Sequence, residues 1–395
     1  MEFATFEALR AAEGQRCLAE AMGRGVTPQT ALAVSTTLRA RYPVEIVAAA
    51  VTQALLRAHA VVKFGPDAAR MYFTAEGLEQ ATRAPVAAHH AARYPATSRI
   101  ADLCCGIGGD LRALATTHDV LAVDQNPLVA AIAKANAEVL GLAPRVTVRC
   151  ADVTTLDLVG YNAAFLDPAR RMSGRRVFDV RQYQPPWSFI ATLAARIGDV
   201  GVKVAPGIPH DLVPAHAEAE WVSVGGDVKE AALWFGSLRT ESIARRATLL
   251  PGGATLTDTD AADTPPVGPP LRYLYEPDGA VIRAGLVAAV VTQVGGTLLD
   301  PTIAYITSDT HMQTPFARVW EVVDVLPFNL KRVRTYLRAH GIGHVVVKKR
   351  GSPLDPEALI HDLRLSGPEH ATLFLTQVAG VHTMLVTRQV LGSDR

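Results

Sequence analysis

Apolar residues recur at helical spacing along the first 95 residues of the chain. The stretch from Val44 to Ala60 is typical, because it is rich in alanine, contains no proline and keeps its apolar positions three and four residues apart. No alternation of apolar and polar residues, which would indicate strands, interrupts this pattern. The sequence therefore predicts an N-terminal helical domain over residues 1–95.

The pattern changes at Ile100, where short apolar runs bounded by turn residues begin to alternate with helical stretches. Strands are predicted at residues 100–104, 120–123, 146–149, 163–166 and 201–204. Strands that alternate with helices in units of about 25–30 residues favour a parallel sheet with helices on both faces. Extended stretches on either side of Gly225-Gly226 predict the antiparallel hairpin that closes such a sheet.

Prolines and glycines between residues 251 and 270 indicate a loop or a domain boundary. The sequence after it predicts a mixture of helices and strands. A mixed segment runs from about 272 to 324. In the last segment, helices are predicted at 328–340 and 355–365, and strands at 344–348, 371–378 and 382–387.

Length and composition bound the class of protein. The chain has 395 residues, of which 49% are hydrophobic and 19% charged, so it can build several cores and is not a disordered chain. Its net charge of +1 gives no global field toward DNA or membrane. We find no apolar run near the ~20 residues of a spanning helix and no signal-peptide pattern, so we expect a cytoplasmic protein without a membrane partner.

A glycine-rich turn follows the first predicted strand, in the sequence Asp102-Leu-Cys-Cys-Gly-Ile-Gly-Gly-Asp110. Leu111 stands where a dinucleotide-binding turn has its third glycine, and the chain contains no Gly-Lys pair for a phosphate loop. The turn resembles the first motif of class I S-adenosylmethionine (SAM) methyltransferases. In that family the strand-end carboxylate, here Asp102, faces the methionine amino group. The resemblance assigns three turn residues to the cofactor site: Cys104, Gly106 and Gly108.

Two further carboxylates end the next two predicted strands. Asp124 lies 22 residues after Asp102 and is placed to accept hydrogen bonds from the ribose hydroxyls of the cofactor; Asp152 is placed to accept one from the adenine amine. Their neighbours Gln125 and Val153 are assigned to the same site. A single aspartate after a strand is often only a helix cap. Three in this order, with the glycine turn, predict SAM as the cofactor.

The fourth predicted strand ends in Asp167-Pro168-Ala169-Arg170, at the switch point where open α/β sheets bind ligands. The four residues resemble the fourth motif of nucleic-acid methyltransferases. Arg170 replaces the aromatic residue that stacks on a target base, so stacking would fall to Tyr183 or Trp187 or be absent. No cysteine follows Cys150, and Cys104 and Cys105 belong to the turn, so we do not expect methylation that requires a thiolate to attack a pyrimidine ring.

Direct transfer to a nitrogen or oxygen is therefore predicted. Asp167 would accept a proton or orient the acceptor, Pro168 would fix the geometry, and Arg170 completes the predicted catalytic set. Residues 167–181 hold five arginines and two aspartates, and Arg171, Arg175 and Arg176 are predicted to hold substrate phosphates. Ion pairs with nearby carboxylates are the alternative for these arginines. Adjacent Cys104 and Cys105 lack zinc-ligand spacing, so we expect no metal site.

The last 71 residues carry ten basic and five acidic residues, and the densest positive point is Lys348-Lys349-Arg350. These three residues are predicted to contact a polyanion, although a solvated strand end is an equally simple explanation.

The chain as a whole resembles a bacterial family of class I methyltransferases with a THUMP-like C-terminal domain. The resemblance rests on 102–110, on Asp-Pro-Ala-Arg-Arg at 167–171, on Tyr-Glu-Pro-Asp at 275–278 and on Lys-Lys-Arg-Gly at 348–351. It implies an α/β fold: a Rossmann-like, seven-stranded, mostly parallel methyltransferase sheet at 96–244, a ferredoxin-like domain at 245–323 and a THUMP-like domain at 324–395. THUMP domains present tRNA, so tRNA or rRNA is the implied substrate class.

Three functions remain open from the sequence. The first is an RNA methyltransferase acting on nitrogen or oxygen. The second is a methyltransferase of proteins or small molecules, and the third is a SAM-binding, RNA-associated factor without catalysis. The modified atom and the oligomeric state do not follow from the sequence.

Overall fold

The computed structural model describes residues 1–169, 171–172, 175–176, 182–260 and 264–390, with the backbone alone at 171–172 and 175–176. The chain forms two compact units. The first comprises residues 1–217 with 232–240, and the second comprises residues 218–231 with 241–395.

The N-terminal region is helical, as predicted. Its helices are α1 (Phe3–Arg10), α2 (Ala12–Gly23), α3 (Ala31–Arg39), α4 (Val44–Phe64), α5 (Ala75–Gln80) and α6 (Ala84–Ala91). Pro43 precedes the long helix α4, and Gly65 ends it with a φ of 60°. Phe6, Leu9 and Phe64 are among the side chains buried in the core of these helices.

Residues 44–69 are long and apolar enough to cross a membrane by length and composition alone, and half of that window is buried inside the protein. Helix α4 also carries two buried polar side chains. The Gln53 amide donates to the Phe73 carbonyl, and Arg57 Nε donates to the Met71 carbonyl at 2.8 Å. These bonds pair polar groups with the protein backbone, as a core helix requires.

Alternating strands and helices follow the N-terminal region. Strands β1 (Arg99–Leu103), β2 (Asp119–Asp124), β3 (Val146–Cys150), β4 (Ala163–Leu166) and β7 (Asp199–Val204) alternate with helices α7 (Leu111–Leu114), α8 (Pro127–Val139) and α9 (Trp187–Ile197). A separate two-stranded ribbon, β5 (Arg171–Met172) and β6 (Arg175–Arg176), lies between β4 and α9 in the chain. Strands β8 (Glu218–Val224) and β9 (Asp227–Trp234) form the predicted hairpin, with positive φ at Gly225 and Gly226.

The sheet has the strand order of a class I methyltransferase. In the first unit the order is β3-β2-β1-β4-β7, followed by the end of β9; β9 continues into the second unit, where β8 lies beside it. The neighbours from β3 to β7 are parallel. The predicted Rossmann-like, mostly parallel sheet is thus confirmed.

Two strands extend this sheet beyond the seven predicted. Strand β10 (Arg245–Leu250) pairs with β8 in parallel, and β11 (Ala254–Thr257) pairs with β10 antiparallel. The added strands satisfy the backbone groups along β8, which would otherwise be an open edge. The segment predicted as a ferredoxin-like domain, 245–323, therefore contributes strands to this sheet as well as to the next one.

A second sheet of seven strands occupies the rest of the second unit. Its strands lie in the order β13-β14-β12-β15-β18-β17-β16. They are β12 (Tyr273–Pro277), β13 (Thr297–Asp300), β14 (Ile303–Ser308), β15 (Ala317–Pro327), β16 (Ile342–Lys349), β17 (Glu369–Val378) and β18 (Val381–Gln389). The helices are α10 (Gly279–Arg283), α11 (Val287–Val294), α12 (Leu330–Ala339) and α13 (Pro356–Leu363).

This sheet buries side chains on both faces. Leu373 packs in a cluster with α12 and α13, whereas its neighbour Phe374 packs in another with Tyr305 and Trp320. Adjacent residues of a strand point to opposite faces, so the two clusters lie on opposite sides of β17.

Candidate active site

The register of the parallel strands brings three chain segments to one edge of the first sheet. Leu103, the last residue of β1, is paired with Val123 of β2 and Leu166 of β4. The positions that follow therefore lie side by side, and the backbone N–H of Asp167 donates to the Leu103 carbonyl at 3.1 Å. Carboxyl ends of parallel strands are where α/β sheets bind ligands.

The glycine-rich turn is held against the end of β2. The backbone N–H of Cys105 donates to the Val123 carbonyl at 2.9 Å, and that of Gly106 donates to Asp124 Oδ2 at 3.1 Å. Gly106 and Gly108 adopt φ values of 57° and 91°, which residues with side chains rarely do. Cys104 also has a positive φ, of 61°, so the turn keeps a left-handed backbone even at a non-glycine position.

Asp102 is the most deeply buried carboxylate of this edge, with 1% of its surface exposed. Its Oδ2 has no hydrogen-bond partner among the described residues. Burial raises its pKa well above the ordinary value, and the nearby carboxylates of Asp110, Asp167 and Asp124 raise the pKa further. A cation that donates a hydrogen bond would stabilise the ionised form of this carboxylate. The ammonium group of SAM is such a cation.

The other two predicted cofactor carboxylates differ in their surroundings. Burial raises the pKa of Asp124, although the N–H groups of Asn126 and Gly106 oppose the shift. Asp152 is exposed, and hydrogen bonds from the Thr154 backbone and hydroxyl lower its pKa. Both carboxylates keep lone pairs for further hydrogen bonds. Of their neighbours, Gln125 is exposed and Val153 is buried at the start of a short 3-10 turn.

The two cysteines of the turn are neutral thiols. Burial raises the pKa of Cys104 and of Cys105 far above the ordinary value, and nearby aspartates add to the shift. Within the described residues, no three histidine, cysteine or acidic side chains are grouped as a metal site requires. These thiols suit a packed turn, not a thiolate nucleophile.

Asp167 forms an ion pair that the sequence analysis missed. Lys203 Nζ, at the end of β7, lies 2.8 Å from Asp167 Oδ2 and 2.7 Å from the hydroxyl oxygen of Thr82. The side chain of Lys203 is 4% exposed and that of Asp167 is 26% exposed. Pro168, the next residue, is buried. The available signal was a single lysine inside the apolar strand Val200–Val204.

Thr82 also connects Lys203 to Asp110 and His90 through two further hydrogen bonds. The Thr82 hydroxyl donates to Asp110 Oδ2 at 2.5 Å, and Asp110 Oδ1 lies 2.8 Å from His90 Nδ1. Burial favours the neutral form of Asp110, but the bonds to His90 and Thr82 and the charge of Lys203 bring its pKa below the ordinary value. Gly109 lies so close that a Cβ there would approach the Thr82 nitrogen to 3.0 Å.

Helix α6 carries two adjacent histidines, His89 and His90, that differ in burial. His90 is fully buried, whereas His89 is half-buried. The reason is the face of α6: Val86, Ala87 and His90 follow helical spacing and are buried together. An isolated pair of histidines in a sequence does not reveal which of the two faces the core.

Of the other residues predicted near the acceptor, some are buried or half-buried, and the side chains of the rest lie outside the described residues. Arg170 lies outside the described residues, and for Arg171, Arg175 and Arg176 only the strands β5 and β6 are described. Tyr183 is 2% exposed and its hydroxyl accepts from the Ala205 N–H, so its ring cannot stack on a base in this structure. Trp187 is half-buried at the start of α9.

The three predicted basic residues of the C-terminal sheet have internal contacts. Lys348 Nζ donates to Glu276 Oε2 and lies 4.7 Å from the centre of the Trp320 ring. Lys349 is exposed and donates to the Leu354 carbonyl at 2.9 Å, and the Arg350 guanidinium lies over the Tyr305 ring. Of the three, Lys349 is the most accessible to a partner.

Strand order, glycine turn and strand-end carboxylates together define a class I, SAM-dependent type of site. Family comparisons agree with this class. Residues 97–190 match the family described as RNA cap guanine-N2 methyltransferase, residues 317–389 match a THUMP domain-like family, and residues 2–60 match a domain of unknown function.

Relatives cover nearly the whole chain. An uncharacterized S-adenosylmethionine-dependent methyltransferase of Mycobacterium tuberculosis, found in two strains, is 37% identical over 354 residues, which are 86% of this chain and 96% of the relative. A solved structure from Porphyromonas gingivalis, described as that of a candidate methyltransferase, superposes with a TM-score of 0.74 at 20% identity. It covers 92% of this chain and 99% of its own. The chain belongs to the S-adenosylmethionine-dependent methyltransferases.

Replacing Asp102 by Asn should weaken SAM binding and stabilise the ligand-free protein. Loss of a charged hydrogen bond costs about 1.5–3 kcal/mol, or roughly 10- to 150-fold in Kd. The unfolding free energy at pH 8 should rise, because the variant lacks a carboxyl whose pKa burial raises above its value in the unfolded chain. Calorimetry and urea unfolding measure both effects. Asp119→Asn, at an exposed position of β2, is the control and should change neither.

SAM affinity should fall as the pH is lowered through the pKa of Asp102, which lies above the ordinary value of 3.8. The sign follows from the charge: the protonated carboxyl no longer attracts the cofactor ammonium, and the ionised one does. The ligand-free protein should show the opposite trend from this group, losing stability as the pH rises through the same pKa. Calorimetric titrations of wild type and Asp102→Asn across pH check this, since the variant should show a weaker dependence, with the remainder coming from Asp124.

Proposed function

We propose that this protein transfers a methyl group from SAM to a nitrogen or oxygen of RNA, with tRNA or rRNA as the substrate class. The observation that carries the proposal is the position of Asp167, whose backbone N–H is bound to the carbonyl of Leu103, the residue between Asp102 and the glycine-rich turn. The acceptor motif and the cofactor motif thus lie at one sheet edge. We expect the protein to act in the cytoplasm.

Each residue of the edge takes a separate role in this proposal. Asp102, Asp124 and Asp152 bind the amino group, the ribose and the adenine of SAM. Cys104, Gly106, Gly108, Gln125 and Val153 complete the cofactor site. When bound, SAM supplies an electrophilic methyl group and leaves as the neutral thioether. Asp167 accepts a hydrogen bond from the acceptor group and takes its proton, while Pro168 restrains the backbone of that carboxylate.

RNA is favoured as the substrate by composition and by the comparisons. Arg170, Arg171, Arg175 and Arg176 directly follow the acceptor motif, which places guanidinium groups close to it in the chain. The family matched by residues 97–190 is named for an RNA substrate, and the C-terminal match is THUMP domain-like. Lys349 and the exposed basic residues of α12 would add contacts to phosphates.

Asp167→Ala should abolish methyl transfer while SAM binding stays measurable. The variant removes the group that meets the acceptor but keeps the three carboxylates assigned to the cofactor. We expect the turnover to fall by roughly 10²-fold or more. Asp157→Ala, at an exposed loop aspartate, is the control and should leave turnover unchanged. Unchanged turnover in Asp167→Ala would remove this residue from the reaction.

Tritiated SAM identifies the acceptor directly. The purified protein is incubated with RNA from cells of the source organism that lack it, and the labelled nucleosides are separated after digestion. Label in one nucleoside supports the proposal. Label found only in protein or in small molecules would contradict RNA as the substrate and indicate a methyltransferase of that other class. RNA binding without label would indicate a non-catalytic RNA-associated factor.

RNA binding should depend on salt and on exposed C-terminal charges. Replacing Lys331, Arg332 and Lys349 by Ala should weaken tRNA binding and reduce the slope of log K against log salt, by about one for each phosphate that is no longer bound. These three are exposed, so their removal disturbs the fold less than removal of Lys348. Lys134→Ala, an exposed lysine of α8, is the control. Unaltered affinity in the triple variant would exclude this surface from RNA binding.

A further inference from the structure

The single lysine inside β7 is an unusual residue for its position. Every other residue of Val200–Val204 is apolar and buried or is glycine, and Lys203 itself is 3% exposed. An ammonium group leaves water only at a high free-energy cost, so a buried lysine needs strong partners. Asp167 and Thr82 supply two of them, at 2.8 and 2.7 Å.

Lys203 contacts one particular oxygen of Asp167. Its ammonium group lies at hydrogen-bond distance from Oδ2. The backbone N–H of the same aspartate is bound to the Leu103 carbonyl, so the main chain of Asp167 is also held. The Asp167 side chain remains 26% exposed, so part of it is accessible to an incoming group.

We propose that Lys203 is a positioning residue of the transfer site: it binds Asp167 Oδ2, and thereby directs Oδ1 toward the methyl acceptor. This inference rests on the proposed function, since it assigns Asp167 to the acceptor. Thr82 accepts a hydrogen bond from Lys203 and donates one to Asp110, which His90 contacts in turn.

A consequence concerns the chemistry of the acceptor. A carboxylate paired with an ammonium group has lone pairs to offer and no hydrogen to donate. The acceptor atom must then carry a hydrogen, as an amine or a hydroxyl does. A ring nitrogen that presents only a lone pair would be repelled by Oδ1, so methylation at such a nitrogen contradicts the inference.

Nitrogen-15 spectroscopy tests the ion pair without any methyl acceptor. The chain has only seven lysines, so the Nζ resonances of protein labelled in lysine can be resolved one by one. Lys203→Arg identifies the resonance of Lys203 by its disappearance. That resonance should move in Asp167→Asn, while the resonance of Lys134, which is exposed on α8, stays in place. An unchanged Lys203 resonance in Asp167→Asn overturns the proposal.

A double-mutant cycle tests whether Lys203 acts through Asp167. Lys203→Met should lower kcat by roughly 10²-fold with little change in KM for RNA, because the orientation of the Asp167 carboxylate is lost. Lys203→Arg should recover part of the rate. In the Asp167→Asn background, Lys203→Met should cost less than about threefold, whereas independent residues would multiply their effects.

The outcomes separate this inference from the proposed function. Independent effects in the cycle, or loss of SAM binding in Lys203→Met with normal transfer at saturating SAM, would overturn the positioning role and leave the function intact. Wild-type protein that binds SAM but labels no RNA removes the proposed function. In that case the lysine resonance still decides the ion pair, because it requires no acceptor.

Discussion

The charged groups at the edge of the first sheet are arranged around Asp102, a carboxylate buried near the end of β1. Asp102 is 1% exposed and has one oxygen unpaired among the described residues. Burial raises its pKa, and Asp110, Asp167 and Asp124 raise it further. So many acidic groups at one edge repel one another unless positive charge is brought to them. The fold supplies part of it through Lys203, and in the proposed function the cationic cofactor supplies the rest.

The N-terminal helices take part in this arrangement. Thr82 and His90, which precede the first strand, provide the hydrogen bonds that keep Asp110 ionised. Asn136 of α8 links the N-terminal region to the glycine-rich turn. Its side-chain amide donates to the carbonyl of Tyr72 and to that of Ile107 in the turn. The helical segment and the cofactor turn are therefore one hydrogen-bonded structure, and replacing either would disturb the other.

Several charged groups of the C-terminal sheet are half-buried and contact aromatic rings and one another. The pair Lys348–Glu276 sits beside Trp320, and Arg350 lies over Tyr305, so these cations stabilise a packed face. Positive charge in this region is available to a partner mainly from α12 and Lys349. A count of basic residues therefore overstates the positive charge available at the surface, because some of these side chains are already in contact with aromatic rings or carboxylates.

Apolar periodicity and glycine spacing are local signals, and they were enough to predict the parallel sheet and the hairpin at Gly225-Gly226. The aspartates that follow the strands, Asp102, Asp124 and Asp167, could be proposed as site residues in the same way. Which charged groups come into contact is visible only in the folded chain. Lys203 and Thr82 are 121 residues apart in the chain, and their contact arises from strand order and helix packing. Long-range pairing leaves no periodic trace in a sequence, so a buried ion pair is visible only once the strands are side by side.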